Sequence, residues 1–442
     1  MKLWLTSLCA AACFSLPAQQ LELNHDLAYK LLESLTVEVG PRLAGSAADA
    51  RSVAWAQRHF KQLGYDKVWV EPFNMQYWER GQASLQVNAP FSQSLVVTAL
   101  GGSIGTPFDG INSQVVMFDT LEQLQQANPA DVKNRIVFIN HALERDIRGG
   151  FYGGVVGGRA RGAVEAAKLG ASALIIRSVG SSNNRFAHTG IMRYDDDVER
   201  IPAAAISIPD AQQLSKMLSI NPELSLTLHM QNNLPGTVTS HNVIAEITGS
   251  KRPDEIVLIS AHLDSWDEGT GALDDGAGVG IVMAAGALLK AERPERTIRV
   301  VLFGNEEGGL IGARAYAAQH HQQLATHVFA SESDFGAGRV WRFDTGFGEQ
   351  ALTFGAQLQQ KLKHLGIAMG PNTASGGPDV SILKAQGVPV ATLQQDGTDY
   401  FDYHHTPNDT LDKIDPTALR QNLEAWLIMT REIANSSVDL RL

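Results

Sequence analysis

The sequence predicts an α/β protein: a mostly parallel sheet with helices on both faces, interrupted by a smaller inserted α/β unit. Three observations predict this. From about residue 238 onward, short apolar runs alternate with helical segments, the pattern of strands linked by crossover helices. The runs at 256–261 and 298–304 read as strands buried on both faces, and those at 327–332 and 388–393 as further strands. The stretch 110–237 has an α/β pattern of its own, while the helical segment ahead of it has no sheet to cover, so the middle unit interrupts a larger domain. The expected division is 1–18 as a removable leader, 19–109 and 238–442 as the two parts of the large domain, and 110–237 as the insert. At 442 residues the chain is too long for one ordinary core.

Lys2 and the apolar run 3–16, followed by Pro17-Ala18, read as a secretory signal peptide. A lipid attachment at Cys13 is the second reading. Both cysteines, Cys9 and Cys13, lie in this segment, so the exported chain would contain no disulfide. Residues 22–36 carry apolar positions at helical spacing, with Asn24 or Asp26 as cap, and 47–63 predict a second helix after the Gly40-Pro41-Arg42 break. Alternating apolar runs follow to about 100. The insert reads as a strand at 135–140, a glycine-rich mobile loop at 149–162, a helix at 163–169, a strand at 172–177 and an apolar run at 201–208. The large domain then adds helices at 275–291, 308–319, 350–365 and 416–434 between its strands. The first of these is rich in small residues.

Composition removes several function classes. Hydrophobic residues make up 44% and charged residues 19%, which excludes a disordered or fibrous chain. The formal net charge of −11, with no basic run, excludes nucleic acid and anionic membranes as partners. No integral membrane segment is expected beyond the leader.

In open α/β sheets the functional groups sit beyond the carboxyl ends of the strands. Three strand ends here are rich in metal-ligand types: His262-Leu263-Asp264, Asn305-Glu306-Glu307 and Glu332-Ser333-Asp334. Asp274-Asp275-Gly276 lies between the first strand and its helix, and His404-His405-Thr406 lies near the C-terminus. Histidine with carboxylate suits zinc, and a pair of ions needs one carboxylate that can bridge them. The inventory holds two histidines, a bridge, a Glu and an Asp, with one carboxylate left over as general base. Asp264 can accept the spare ring N–H of His262 and fix its tautomer. Taken singly, HxD is usually a loop, Glu-Glu a charged face and Asp-Asp-Gly a turn. Their placement at successive strand ends is what argues for a metal centre.

The ordered set HLDSWD (262–267), LDDGAG (273–278), GNEEGG (304–309), SESD (331–334) and HHTPNDT (404–410) resembles the co-catalytic dizinc aminopeptidase-type metallopeptidase family. GPRLAGS (40–46) and GRARGAVEAAKLGASALIIRS (158–178) resemble its carboxypeptidase branch, the second within a protease-associated insert domain. The resemblance implies the zinc exopeptidase fold, of phosphorylase/hydrolase-like architecture, and two Zn2+ per chain. It implies that Asp274 bridges the ions, that His262 and Asp334 complete one site, and that Glu307 and His405 complete the other. It implies that Glu306 is the general base, that Asp264 orients His262, and that the Asp274–Asp275 peptide is cis. It also implies a homodimer.

The function expected is an exported exopeptidase, secreted or periplasmic, acting on dipeptides or short peptides. The alternatives are an aminopeptidase trimming longer peptides, a related zinc deacylase or carboxypeptidase, and a binding protein that keeps the fold without catalysis. Asp409 is expected beside the metal ligands, and Asp379 beside the site or in a turn. Arg159 and Arg161 are read as surface arginines, the alternative being contact with a substrate carboxylate. His320 and His321 are read as surface residues at a helix end.

Overall fold

The computed structural model describes residues 26–88 and 91–442. The leader 1–18, Cys9, Cys13 and Asn24 lie outside the described residues. The central sheet has eight strands in the order Lys67–Glu79, Asn233–Ile247, Arg296–Phe303, Arg252–His262, His327–Glu332, Val390–Gln395, Val340–Gly346 and Ala368–Met369. The four middle strands, from Arg296–Phe303 to Val390–Gln395, run parallel. The strands adjoining this block, Asn233–Ile247 and Val340–Gly346, are antiparallel to it, so the sheet is mixed, with its parallel core where the sequence is most continuously apolar.

Residue alternation divides the sheet's two faces. Val257, Ile259, Ala261, Ile298, Val300 and Leu302 join one cluster with the helices Leu27–Glu38, Ala47–Gln62, Ala277–Leu289 and Pro416–Asn435. Ile256, Leu258, Val301 and Phe303 join another with Ile311–Gln319 and Pro378–Lys384. A strand with a helix on either face has no polar side, which is why these runs do not alternate in polarity. Ser46 caps the helix Ala47–Gln62 by accepting the Asp49 N–H at 3.1 Å.

Ala272–Glu292 is long and apolar enough to cross a membrane by composition, with a mean hydropathy of 1.5, but 89% of that window is buried inside the protein. It is the central helix of the fold, packed between the sheet and the first and last helices.

The chain leaves the central sheet at Glu79 and rejoins it at Asn233, its antiparallel partner. Between the two it builds a second eight-stranded sheet, ordered Gln93–Leu95, Ala83–Val87, Ser225–Met230, Ile111–Phe118, Ile136–Ile139, Ala173–Arg177, Ala203–Ile206 and Val97–Ala99. Three of these strands lie upstream of residue 110. The glycine-rich stretch expected as a loop is the first half of a helix, Tyr152–Lys168. Its glycines let the helix close on the sheet: a Cβ at 162 would stand 3.0 Å from both Ile139 and Leu174. Tertiary packing overrides a poor helix propensity here.

Candidate active site

The carboxyl ends of the parallel strands place five candidate ligands together. His262 ends one strand, Glu307 follows the end of Arg296–Phe303, and Asp334 follows the end of His327–Glu332. Asp274 lies in the tight turn Ala272–Gly276 before the central helix, and His405 follows the short helix Tyr400–Tyr403. The Asp274–Asp275 peptide is cis. Asp274 stands in the middle. Its Oδ1 is 2.9 Å from His262 Nε2, and its Oδ2 is 3.3 Å from His405 Nε2. Asp334 lies 3.5 Å from His262 Nε2, and Glu307 lies 3.0 Å from His405 Nε2. Each oxygen of one carboxylate thus faces its own histidine and acid.

The surroundings fix this turn. Asp409 accepts the backbone N–H groups of Leu273 and Asp274 at 2.6 and 3.2 Å. Asp275 accepts those of His262 and Gly278, both at 3.1 Å. Arg42 of the GPRLAGS motif is fully buried and donates to the carbonyls of Leu263, Thr270 and Gly271 at 2.6–2.9 Å. That one guanidinium ties down the loop between His262 and Asp274.

The expected contact from the Asp264 carboxylate to the His262 ring is made by a different atom. His262 Nδ1–H donates to the Asp264 backbone carbonyl at 2.9 Å, while the carboxylate is 3.7 Å away. That carboxylate instead accepts the Glu306 N–H at 3.0 Å. A backbone carbonyl sits two residues on, within reach of the ring, and leaves the carboxylate free to hold the next loop.

The electrostatics are those of a carboxylate excess. Burial would raise Asp274, but hydrogen bonds from His262 and His405 outweigh it and hold the group well below the carboxylate range. Burial would lower His405, yet Glu307 and Asp274 push it up to about 9. Burial pushes Glu306 up, and the charges of Asp334 and Glu307 add to that against His262. Glu307 Oε1 is buried with no hydrogen-bond partner among the described residues. Ligand atoms of His262, Asp275 and Asp334 converge in one group and those of Asp274, His404 and His405 in another, and with the orphaned Glu307 oxygen this donor set fits divalent cations. Glu306 differs from its neighbour: its carboxylate makes no hydrogen bond or ion pair among the described residues.

The site opens into a cavity of about 440 Å³ lined by Glu306, Glu307, Asp334 and His405, and also by Tyr152, Arg159 and Arg193 from the second sheet's helix and loops. The surface reading of Arg159 is corrected. It is 5% exposed, donates to Tyr152 Oη at 2.6 Å and stands 3.5 Å from His405 Nδ1; among the described residues it has no carboxylate partner and its Nε is unpaired. It lies flat on Gly190, where a side chain would collide with it. Arg161 pairs with Asp195 near the surface. His320 is buried and hydrogen-bonds Glu71 at 2.9 Å, correcting its surface reading, whereas His321 is not buried. Asp379 is buried, and both its oxygens are unpaired among the described residues. His404 stacks on His405 at 3.5 Å between ring centroids. Sequence reasoning missed Tyr152, Arg193 and His188, and no local motif marks them.

Comparison with known proteins places these motifs. Residues 242–430, which span all five candidate ligands and Glu306, match peptidase family M28. Carboxypeptidase Q of Bos taurus is 35% identical over 92% of this chain and 85% of its own length. The crystal structure of a peptidase M28 precursor from Shewanella amazonensis SB2B superposes with a TM-score of 0.93 at 52% identity, covering 94% of this chain and 95% of that one. A zinc aminopeptidase from Bacillus subtilis shares the fold, with a TM-score of 0.68 at 21% identity over 96% of this chain and all of its own. With the strand-end residues inside the matched region and a relative aligned over nearly the whole length, the chain belongs to peptidase family M28.

Proposed function

We propose that this peptidase is an exported two-zinc exopeptidase that hydrolyses dipeptides or short peptides. The observation that carries the reading is the division of Asp274 between two ligand pairs, Oδ1 toward His262 and Asp334, Oδ2 toward His405 and Glu307. On this reading those five residues hold the ions, which when bound supply polarisation of the scissile carbonyl and a water of lowered pKa. Glu306, unpaired beside them, takes the proton of the attacking water and passes it to the leaving amine nitrogen. Asp264 steadies both neighbours, His262 by its carbonyl and Glu306 by its carboxylate. The apolar segment 3–16 supports export. We read the second sheet as an inserted protease-associated unit running from the strand Ala83–Val87 to Ser225–Met230, and its contribution to the pocket wall supports that reading.

The pocket favours a substrate with a free carboxylate. Two divalent cations would balance Asp274, Glu307, Asp334 and Glu306, which leaves the buried Arg159 and the exposed Arg193 as positive charge lining the same pocket. A buried guanidinium without a counter-ion is costly, and an incoming carboxylate supplies one. The test is hydrolysis of a free dipeptide beside its C-terminal amide by zinc-loaded protein, with a chelated control. The free form should be cleaved faster by about 30-fold or more, and chelation should abolish both activities. Equal cleavage of both would show an aminopeptidase. Cleavage of neither would overturn the substrate class and return weight to the binding-protein reading.

A further inference from the structure

The two histidines of the candidate centre are supported in different ways. His262 ends a strand of the central sheet, and its Nδ1–H is taken by a carbonyl two residues along the same chain segment, that of Asp264 at 2.9 Å. His405 has no such local partner. Its backbone is in the left-handed region, at φ +62°, and the groups that hold it come from a loop of the second sheet. The Thr189 N–H donates to the His405 carbonyl at 3.0 Å, and His405 Nδ1–H faces the Thr189 carbonyl at 3.3 Å. One residue therefore brackets the ligand with both of its peptide groups. Just before it, His188 donates from Nδ1 to the carbonyl of His404 at 2.8 Å.

This bracket is itself built in. His188 is 2% exposed, its backbone N–H donates to Ser178 Oγ at 2.8 Å, and its ring lies on Gly180, where a Cβ would stand 2.3 Å from it. Thr189 Oγ1 donates to the Ala99 carbonyl at 2.8 Å and accepts from Arg80 Nη2 at 3.0 Å. A ring N–H held by a carbonyl orients a ligating histidine and raises its basicity.

We propose that His188 is a positioning residue for the ion on the Glu307 and His405 side: the second sheet completes one of the two metal sites, and the other is complete without it. The inference rests on the two-metal reading above.

The test is zinc binding by the full chain, measured as ions per chain and as affinity against a competing chromophoric chelator. Wild type should bind two ions. His188→Ala should keep one at wild-type affinity and weaken the other by about 10- to 100-fold. His188→Asn, whose amide nitrogen takes the place of Nδ1, should restore the second. Thr189→Val keeps both peptide groups and loses only the hydroxyl fastenings, so it should weaken the same site by less. Trp266, whose ring lies 5.7 Å from that of His405, gives a second readout. Quenching by Co2+ should need higher Co2+ in His188→Ala, and should be absent in Trp266→Phe. Equal weakening of both sites, or none in either variant, would overturn the proposal. If His188→Ala does not fold, the same measurement on Thr189→Val decides it. A wild-type chain that binds a single ion would sink the two-metal reading itself, and that result is visible before any variant is made.

Discussion

Glu306 and Glu307 are chemically identical and adjacent, yet the turn after Phe303 sends them to different tasks. Glu307 lies 3.0 Å from His405 Nε2, while Glu306 keeps its carboxylate unpaired at the pocket wall. The difference predicts opposite outcomes for conservative changes. Glu306→Gln keeps the shape and both ions and removes the proton carrier, so kcat should fall by about 10²- to 10⁴-fold with metal content unchanged. Asp274→Asn removes charge from a group that faces both ligand pairs, so metal should be lost together with activity. Elemental analysis beside a kinetic assay separates the two, and a Glu306→Gln enzyme that turns over normally with full metal would refute the base assignment. These residues were legible because a parallel sheet presents its chemistry at strand ends, and the strands themselves are easy to read. Arg159, Arg193 and His188 were not legible. Their place depends on how the second sheet lies against the first, which joins residues such as His188 and His404 that are far apart in sequence.

Glycine has two meanings at the scale of elements, and the sequence does not separate them. The run 149–162 suggested a loop, but from residue 152 onward it is helix, and its Gly158 and Gly162 are the smooth face that closes on Ile139 and Leu174. The small residues of the central helix were read correctly as helical, because apolar residues surround them. Gly280 shows what the smoothness is for: a Cβ there would stand 2.5 Å from the carbonyl oxygen of Ala28 in the first helix. Two effects compete in Gly280→Ala. The intrinsic propensity gain is about 1 kcal/mol. The clash is with backbone rather than with a flexible side chain, so two helices must move apart, and overpacking of this kind costs about 1–3 kcal/mol. The clash should win, lowering stability by up to about 2 kcal/mol in a denaturant titration with an unchanged m-value. A stabilised variant would show that the helices separate freely there.

Across the whole molecule the parallel block keeps its chemistry at one end and a buried histidine network at the other. His327 opens the strand whose far end leads to Asp334. Its Nδ1 donates to the Gln323 carbonyl at 3.1 Å, and its Nε2 accepts from Tyr316 Oη at 2.8 Å, which is the neutral tautomer. Arg299 donates to the same Tyr316 oxygen at 2.8 Å. Burial, with the Arg299 charge added, lowers His327 to about 4. The unfolded chain binds this proton near pH 6.5 and the folded chain only near pH 4, so between these values the unfolded state holds more protons and acid favours it. Stability from this group is therefore full above pH 6.5 and is lost as pH falls toward 4, by about 3 kcal/mol. Burial also places Asp49 at about 6 and His188 at about 4, so the wild-type curve alone cannot assign the loss. The difference between wild type and His327→Gln can, because distant sites add independently. His327→Gln should be less stable at pH 7, having lost the bond to Gln323, yet its stability should fall less steeply between pH 6.5 and 4, and the two curves should converge. Parallel curves across that range would mean that His327 does not stay neutral in the fold, and that other groups set the acid limit of this peptidase.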